Sequence, residues 1–370
     1  MSRSSLFLQN DTPAPATCNQ CPEDSACHFT VKDGLDDEKL NQSLPFFFYT
    51  FQGVLFGIAN LLVVTTILRQ PRLRNRKEYL AIAALAFADV INESAFAEAG
   101  IYRMRVTNEN ATWTCKTSWE CILSPRGIIW SYSFPLIYFM LMAISIDRFI
   151  CVMKPLDYMS YSIKYSIKLT GLCYFLALII CVVSVAMSYK FSQDLPCCKT
   201  NALCFLDQAL GYRSVCFTTT AMNLICGLAS VLIYACIPFL YKRQIRRLKR
   251  LEAFGRPELI FLEEQRRLLV TLGISSVFTF VFMVVPSFLR LVLYNSPFEP
   301  WPYAGLVMNC NPVVNTFLFV LRHEDFRHSF LSLISCRPMP QLSSSSFTEC
   351  GSRDILFLDQ ETRSNWVERF

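Results

Sequence analysis

Seven apolar stretches of bilayer length run through this chain, and no other feature so narrows what it can fold into. Five of them, residues 45–68, 169–189, 214–241, 268–289 and 300–321, contain no Asp, Glu, Lys or Arg. Each has 21 or more residues, enough for a helix to cross roughly 30 Å of hydrocarbon. Two more carry isolated charges: residues 79–102 hold Asp89, Glu93 and Glu98, and residues 122–146 hold Arg126. A chain that is 53% apolar and only 17% charged points the same way. The expected fold class is all-α, a seven-transmembrane helix bundle with an amphipathic eighth helix. Ionisable groups inside a span are expensive, so the three carboxyls of the second helix must turn to the bundle interior or to a wet cavity.

Loop charge predicts the orientation, because Lys and Arg are retained in the cytoplasm. The loop at residues 69–78 carries five basic residues and the loop at 242–267 carries nine, with Lys154, Lys164 and Lys168 between them. The alternate loops hold only Arg103, Arg105, Lys116, Lys190, Lys199 and Arg213. The N-terminus is therefore expected outside, and the sequons at Asn10, Asn41 and Asn110 all fall on that side as glycosylation candidates. Asn92-Glu-Ser lies within a span and should stay bare. The first 44 residues contain no apolar run of signal-peptide length, so the first helix is expected to insert itself. Of the 17 cysteines, those in or beside spans read as packing residues. On an oxidising outer face, Cys115 or Cys121 is expected to pair with Cys197, Cys198 or Cys204. Spacing alone does not choose among them.

The expected organisation is an extracellular tail at residues 1–44, a seven-helix domain at 45–322, an amphipathic helix at 323–335 and a cytoplasmic tail at 336–370. The fifth helix should run on through YKRQIRRLKRLE, where Ile245, Leu248 and Leu251 keep helical spacing among cations. In HEDFRHSFLSLI, Phe326, Phe330, Leu333 and Ile334 share one face, as in a helix lying in the membrane interface. Cys336 follows as a palmitoylation candidate. Ser343, Ser344, Ser345, Ser346 and Thr348 read either as a phosphorylation cluster or as low-complexity tail.

Specific motifs stand on this frame. SIDRFICVMKPLDY closes the third helix, GIANLLVV lies in the first, LAIAALAFADV in the second, FVFMVVP in the sixth and NPVVNTFLFVLRHEDFR in the seventh. Together they resemble the rhodopsin-like G-protein-coupled receptors over roughly residues 50–335. The resemblance implies that Arg148 is the coupling switch, held by Asp147, with Phe149 in place of the usual tyrosine and Pro155 at the family's spacing. It implies a polar core of Asn60, Asp89, Asn311 and Asn315, a sodium ion near Asp89 and no other cofactor. It implies activation-helix roles for Phe280, Pro286 and Phe319. The seventh helix admits two registers; aligning Asn315-Thr316-x-x-Phe319 with the family's N-P-x-x-Y motif fits the downstream spacing without a gap. Thr316 then replaces the proline and Phe319 the tyrosine, and Pro312 one turn earlier can supply the kink. Val284 replaces the sixth-helix tryptophan. With the phrase RLRNRKEYLAIAALAFADV, the set is most similar to nematode serpentine chemoreceptors of the srsx type.

The resemblance also bears on partners. It implies a heterotrimeric G protein, an extracellular small-molecule ligand and the lipid bilayer, and no nucleic acid; oligomeric state is not legible. Trp130 occupies the position of the amine-binding aspartate of aminergic receptors, which disfavours a biogenic amine. Asn309 occupies the retinal-lysine position, so no Schiff base can form. Glu98, Arg126, Trp130 and Arg290 mark the expected ligand pocket. In one reading Arg126 and Arg290 bind an anionic or strongly polar molecule; in the other, favoured because intramembrane charges usually pair, Glu98 neutralises one of them. The functional alternatives are a transporter or channel lined by Asp89, Asn92 and Glu93, and a neuropeptide-type receptor. An enzyme is disfavoured, since none of the three histidines lies mid-bundle beside a nucleophile.

Overall fold

The computed structural model describes residues 38–109, 111–112, 114–196, 199–250, 257–292, 301–322 and 324–334. Among these, seven helices are long and apolar enough to cross a membrane. Helix one is Glu38–Arg69, helix two Lys77–Asn108, helix three Pro125–Met153, helix four Ile163–Asp194 and helix five Arg213–Arg250. Helix six is built of Pro257–Thr279, a π-helical turn Phe280–Val284, and Val285–Val292. Helix seven is Trp301–Met308 followed by Asn311–Arg322, and an eighth helix spans Glu324–Ile334. Asn41 lies in the first turns of helix one. The candidates Asn10, Asn110, Cys197, Cys198 and Cys336, and the serine cluster, lie outside the described residues.

Two breaks in the helices have local causes. Pro312 has no N–H to give to Met308, its partner four residues back, and its ring crowds that carbonyl. Helix seven accordingly stops at Met308 and restarts at Asn311, so Pro312 does supply the kink. In helix six the π turn inserts one surplus residue ahead of Pro286. Phe280, to which the resemblance gives an activation-helix role, starts this turn and is 42% exposed, whereas Thr279 beside it is buried at 2%.

Close helix contact depends on small residues. A Cβ on Gly53 would sit 2.5 Å from Ala97 N and 2.7 Å from Glu93 O, and one on Gly100 would sit 2.6 Å from Phe46 O. Glycine at both positions lets the backbones of helices one and two meet, which is how helices associate where lipid supplies no hydrophobic drive. The outward faces stay apolar. Ile225, Leu232 and Phe239, spaced seven residues apart on helix five, are 65%, 64% and 76% exposed, a stripe suited to hydrocarbon. In the eighth helix, buried Phe326 stacks on Phe330 with ring centroids 5.7 Å apart.

One end of the bundle carries a folded cap. A disulfide joins Cys121 to Cys204, which selects one of the pairings left open by the sequence, and Cys115 is disulfide-bonded too. Lys116–Thr117 pairs antiparallel with Lys199–Thr200. Two short helices, Ser118–Ile122 and Leu206–Leu210, pack together here. Ser118 Oγ donates to Gln208 O (3.0 Å) and Ser188 Oγ of helix four donates to Ala209 O (2.7 Å).

Replacing Gly53 with Val should overpack the helix one–two contact. The expected cost is about 1–3 kcal/mol, read as a lower melting temperature of the purified protein and reduced surface display. Wild-type values for both would show that the contact is not tight.

Candidate functional site

At the end of helix three opposite the cap, Arg148 is buried at 1% exposure. A cation desolvated this far needs partners on every side, and it has them. Its Nε donates to Asp147 Oδ2 (3.0 Å), and an Nη of the same group also bonds that carboxylate. It donates further to Tyr158 Oη (2.6 Å) and to Gln265 Oε1 (3.1 Å) of helix six. Tyr158 Oη donates in turn to Asp147 Oδ2 (3.1 Å). Pro155 starts the short helix Pro155–Ser160 that delivers Tyr158. Burial pushes the Tyr158 hydroxyl well above the usual tyrosine range, so it remains a donor at neutral pH. Lys77, at the start of helix two, lies 3.8 Å from the Tyr158 ring centroid and donates to the carbonyls of Tyr158 and Tyr161. Phe149, next to Arg148, is 37% exposed. The result is a latch linking helices two, three and six through one short loop helix.

Mid-bundle, the polar residues converge as the cost of burial requires. Thr316 Oγ1 donates to Asn60 Oδ1 (3.3 Å), which ties helix seven to helix one. Thr279 Oγ1 donates to Asn311 Oδ1 (3.1 Å), and Ser275 Oγ bonds Asn315 Oδ1. Phe319 is buried beside them. Asn311, Pro312, Asn315, Thr316 and Phe319 all face inward, so burial does not distinguish the two registers. Ser133 Oγ donates to Asn92 Oδ1 (3.1 Å), and Asn309 Nδ2 donates to Glu93 Oε2 (2.8 Å). Asp89, 4% exposed, borders a small cavity of about 290 Å³ together with Asn92, Asn309 and Asn311. Asn60 turns to helix seven rather than to Asp89.

Beneath the cap lies a larger cavity, between helices three, four, five, six and seven and the short helix Leu206–Leu210. Trp130 and Arg290 line it; Glu98 and Arg126 do not. Instead Arg126 Nη1 pairs with Glu98 Oε1 at 3.2 Å and lies 3.5 Å from the Tyr102 ring centroid, the mutual neutralisation that sequence reasoning favoured. Tyr138 Oη and Ser287 Oγ share a 2.8 Å hydrogen bond on the cavity wall. Arg103 is a correction: counted among loop cations from the sequence, it belongs to helix two and is 1% exposed. Its Nε donates to Leu203 O (3.1 Å), and its guanidinium lies 4.3 Å from the Phe205 ring centroid and 5.1 Å from that of Trp130. Aromatic faces and carbonyls stabilise the charge in place of a carboxylate.

A family model for the seven-transmembrane receptors of the rhodopsin family matches residues 59–319, well over half of the chain. This chain is a rhodopsin-family receptor. No curated protein matches it. Membership places the receptor in the plasma membrane as a multi-pass protein, implies coupling to a G protein, and identifies a receptor rather than an enzyme. Of the residues singled out from the receptor's sequence, Asp147 and Arg148 meet in the latch, Asn60, Asn311 and Asn315 join the polar core, and Trp130 and Arg290 share the cavity. Pro286 follows the π turn in helix six and is buried. Sequence reasoning missed Tyr158, Gln265, Lys77 and Asp207; Gln265, Lys77 and Asp207 act across long chain separations, whereas Tyr158 lies only 10 residues from Arg148. The only signal for Tyr158 was its place in the KPLDY phrase after the DRF motif.

Two predictions follow from this geometry. Tyr158→Phe removes the hydroxyl bridging Arg148 and Asp147; the latch should weaken by about 1–2 kcal/mol, raising basal nucleotide exchange on a co-expressed G protein, and unchanged basal exchange would discount the bridge. At the polar core, Glu93 Oε1 and Asn309 Oδ1 both lack a donor. Glu93→Gln supplies one N–H while keeping the acceptor for Asn309, so the variant should melt at or above the wild-type temperature. Glu93→Ala strands Asn309 and should cost about 1–3 kcal/mol; the reverse ranking in a thermal melt would contradict this assignment.

Proposed function

We propose that this receptor is a chemosensory-type receptor for a small molecule, activated from outside the cell and signalling through a heterotrimeric G protein. The observation that carries the reading is Arg148, desolvated and tied at once to Asp147, Tyr158 and Gln265. Because Gln265 belongs to helix six, its bond to Arg148 must break if helices three and six separate, and that corner of the guanidinium would then be available to a transducer. A switch of this kind changes state only when a ligand favours one arrangement over the other. The cavity beneath the cap supplies a place for that ligand. Its roof, the helix Leu206–Leu210 held by Ser118 and Ser188, favours a small molecule over a neuropeptide. The likeness of the loop and helix-seven phrases to srsx chemoreceptors supports the chemosensory assignment.

In this reading residues 1–44 form an extracellular tail and residues 336–370 a cytoplasmic one, with the Arg148 end and the basic loops inside. The basic continuation of helix five to Arg250 lies at that end and offers a cationic docking face. A sodium ion fits beside Asp89, which makes no hydrogen bond among the described residues. Asn309 Oδ1, a buried acceptor without a donor, borders the same cavity, and the cavity has room for about one water-sized occupant. Asp89 and Asn309 would hold the ion, which would supply a positive charge to balance the buried carboxylate.

Arg148→Ala should leave surface expression intact and reduce agonist-stimulated nucleotide exchange by at least about tenfold, a loss of roughly 1.4 kcal/mol in coupling. Full stimulation by that variant in membranes with purified G protein would refute the proposal.

A further inference from the structure

The capped cavity has a distinctive set of donors and acceptors. Among the described residues, Trp130 Nε1 and Ser131 Oγ have no hydrogen-bond partner although their residues are only 4% and 5% exposed, and Asn223 Oδ1 is a buried atom that is likewise unpaired. All three residues line the cavity. Unsatisfied polar groups on a cavity wall are costly unless an occupant meets them. The rest of the lining combines aromatic and aliphatic side chains with the hydroxyls of Ser184, Thr219, Thr220 and Ser287, and it contains no Asp, Glu or Lys among the described residues. Its one ionised side chain is Arg290.

Arg290 is already engaged by a carboxylate. Its Nη2 lies 3.7 Å from Asp207 Oδ2, and the two side chains are 25% and 19% exposed. Asp207 sits on the roof helix Leu206–Leu210, whose Leu206 and Leu210 face the cavity. The contrast with the other pair at this end is informative. Arg126 and Glu98 meet at 3.2 Å with the arginine side chain only 4% exposed, a tight contact whose rupture would strand a buried charge. The Arg290–Asp207 pair is longer and partly hydrated, so exchanging its carboxylate for another leaves no charge unpaired in the cavity and returns Asp207 toward water.

On the reading of this chain as a ligand-activated receptor, we propose that the cavity binds a small apolar-bodied monocarboxylate whose carboxylate displaces Asp207 from Arg290. The guanidinium fork suits a planar carboxylate, and Asp207 shows that the site accepts one. The apolar body fills the space between Phe134, Tyr138 and Leu206, and Trp130 Nε1 can donate to a ligand acceptor. Displacing Asp207 removes one tether of the roof helix and leaves the disulfide and the Ser118 and Ser188 bonds in place. Ligand binding is thereby coupled to the position of the roof.

The test uses the full-length receptor purified in lipid nanodiscs and a panel of aryl- and alkyl-carboxylic acids, each with its matched primary amide and primary amine. Binding is read as thermal stabilisation without G protein, so a failure of coupling does not enter the result. Acids should stabilise the receptor while their amides and amines do not. Arg290→Gln should weaken acid binding by at least about tenfold. Asp207→Asn, which removes the competing carboxylate, should strengthen it several-fold. Each of four results overturns the proposal: no acid in the panel binds, amides or amines bind as well as acids, Arg290→Gln retains wild-type acid affinity, or Asp207→Asn leaves the affinity unchanged. If Arg290→Gln fails to fold, the acid–amide–amine ranking and the Asp207→Asn series decide it. Normal agonist-driven exchange in a receptor that does not prefer acids would sink this inference while leaving the receptor reading intact.

Discussion

Hydrocarbon offers no hydrogen bonds, and every polar atom carried into it must be met from within the bundle. That requirement organises the centre of this molecule. Asn60, Asn311, Asn315 and Glu93 each find partners on a neighbouring helix, and those partners join helices one, two, six and seven. Small residues bring the backbones close enough for such contacts, with Gly53 and Gly100 allowing helix two to lie against helix one.

The two ends solve a different problem, the burial of arginine, in two different ways. Arg148 is matched by the carboxylate next to it on helix three, by a phenol on the loop helix and by an amide on helix six. Arg103 is enclosed by rings and backbone carbonyls of the cap. Its carbonyl partners belong to Leu203 and Cys204. Cys204 adopts a φ of 50°, a left-handed conformation that is sparsely populated outside glycine. The disulfide to Cys121 and the bond from Arg103 hold it there. One end is fastened by covalent and aromatic contacts, the other by exchangeable polar ones, and change is easier at the second.

The helix count was legible in the sequence because bilayer length is a one-dimensional property, readable from apolar runs alone. The pairing of Arg126 with Glu98 was legible too, because charges at one bilayer depth have few alternatives. Arg103 was misread for the opposite reason. Near a helix end, residue type does not distinguish a loop cation in water from one packed beneath a folded loop, and the carbonyls that receive it lie 100 positions away in the chain. Tyr158, Gln265 and Asp207 escaped notice because polar residues in loops and at helix ends carry no periodic signal. Phe280 was named through its match to the family's sixth-helix motif, and a motif match does not show that helix six turns π-helical there.

That surplus residue reaches beyond Phe280. A π turn rotates everything on one side of it by about 100° relative to the other, so helix six has no single inward stripe. Leu268, Leu272, Ser275 and Thr279 line the interior on one side of the turn, and Met283, Val284 and Ser287 on the other. Both sets face inward only because one extra residue is absorbed between them. The half that meets Arg148 through Gln265 and the half that carries Arg290 to the cavity are therefore matched in direction by that one loosened turn, and removing a residue there would swing one half's inward set away from the core.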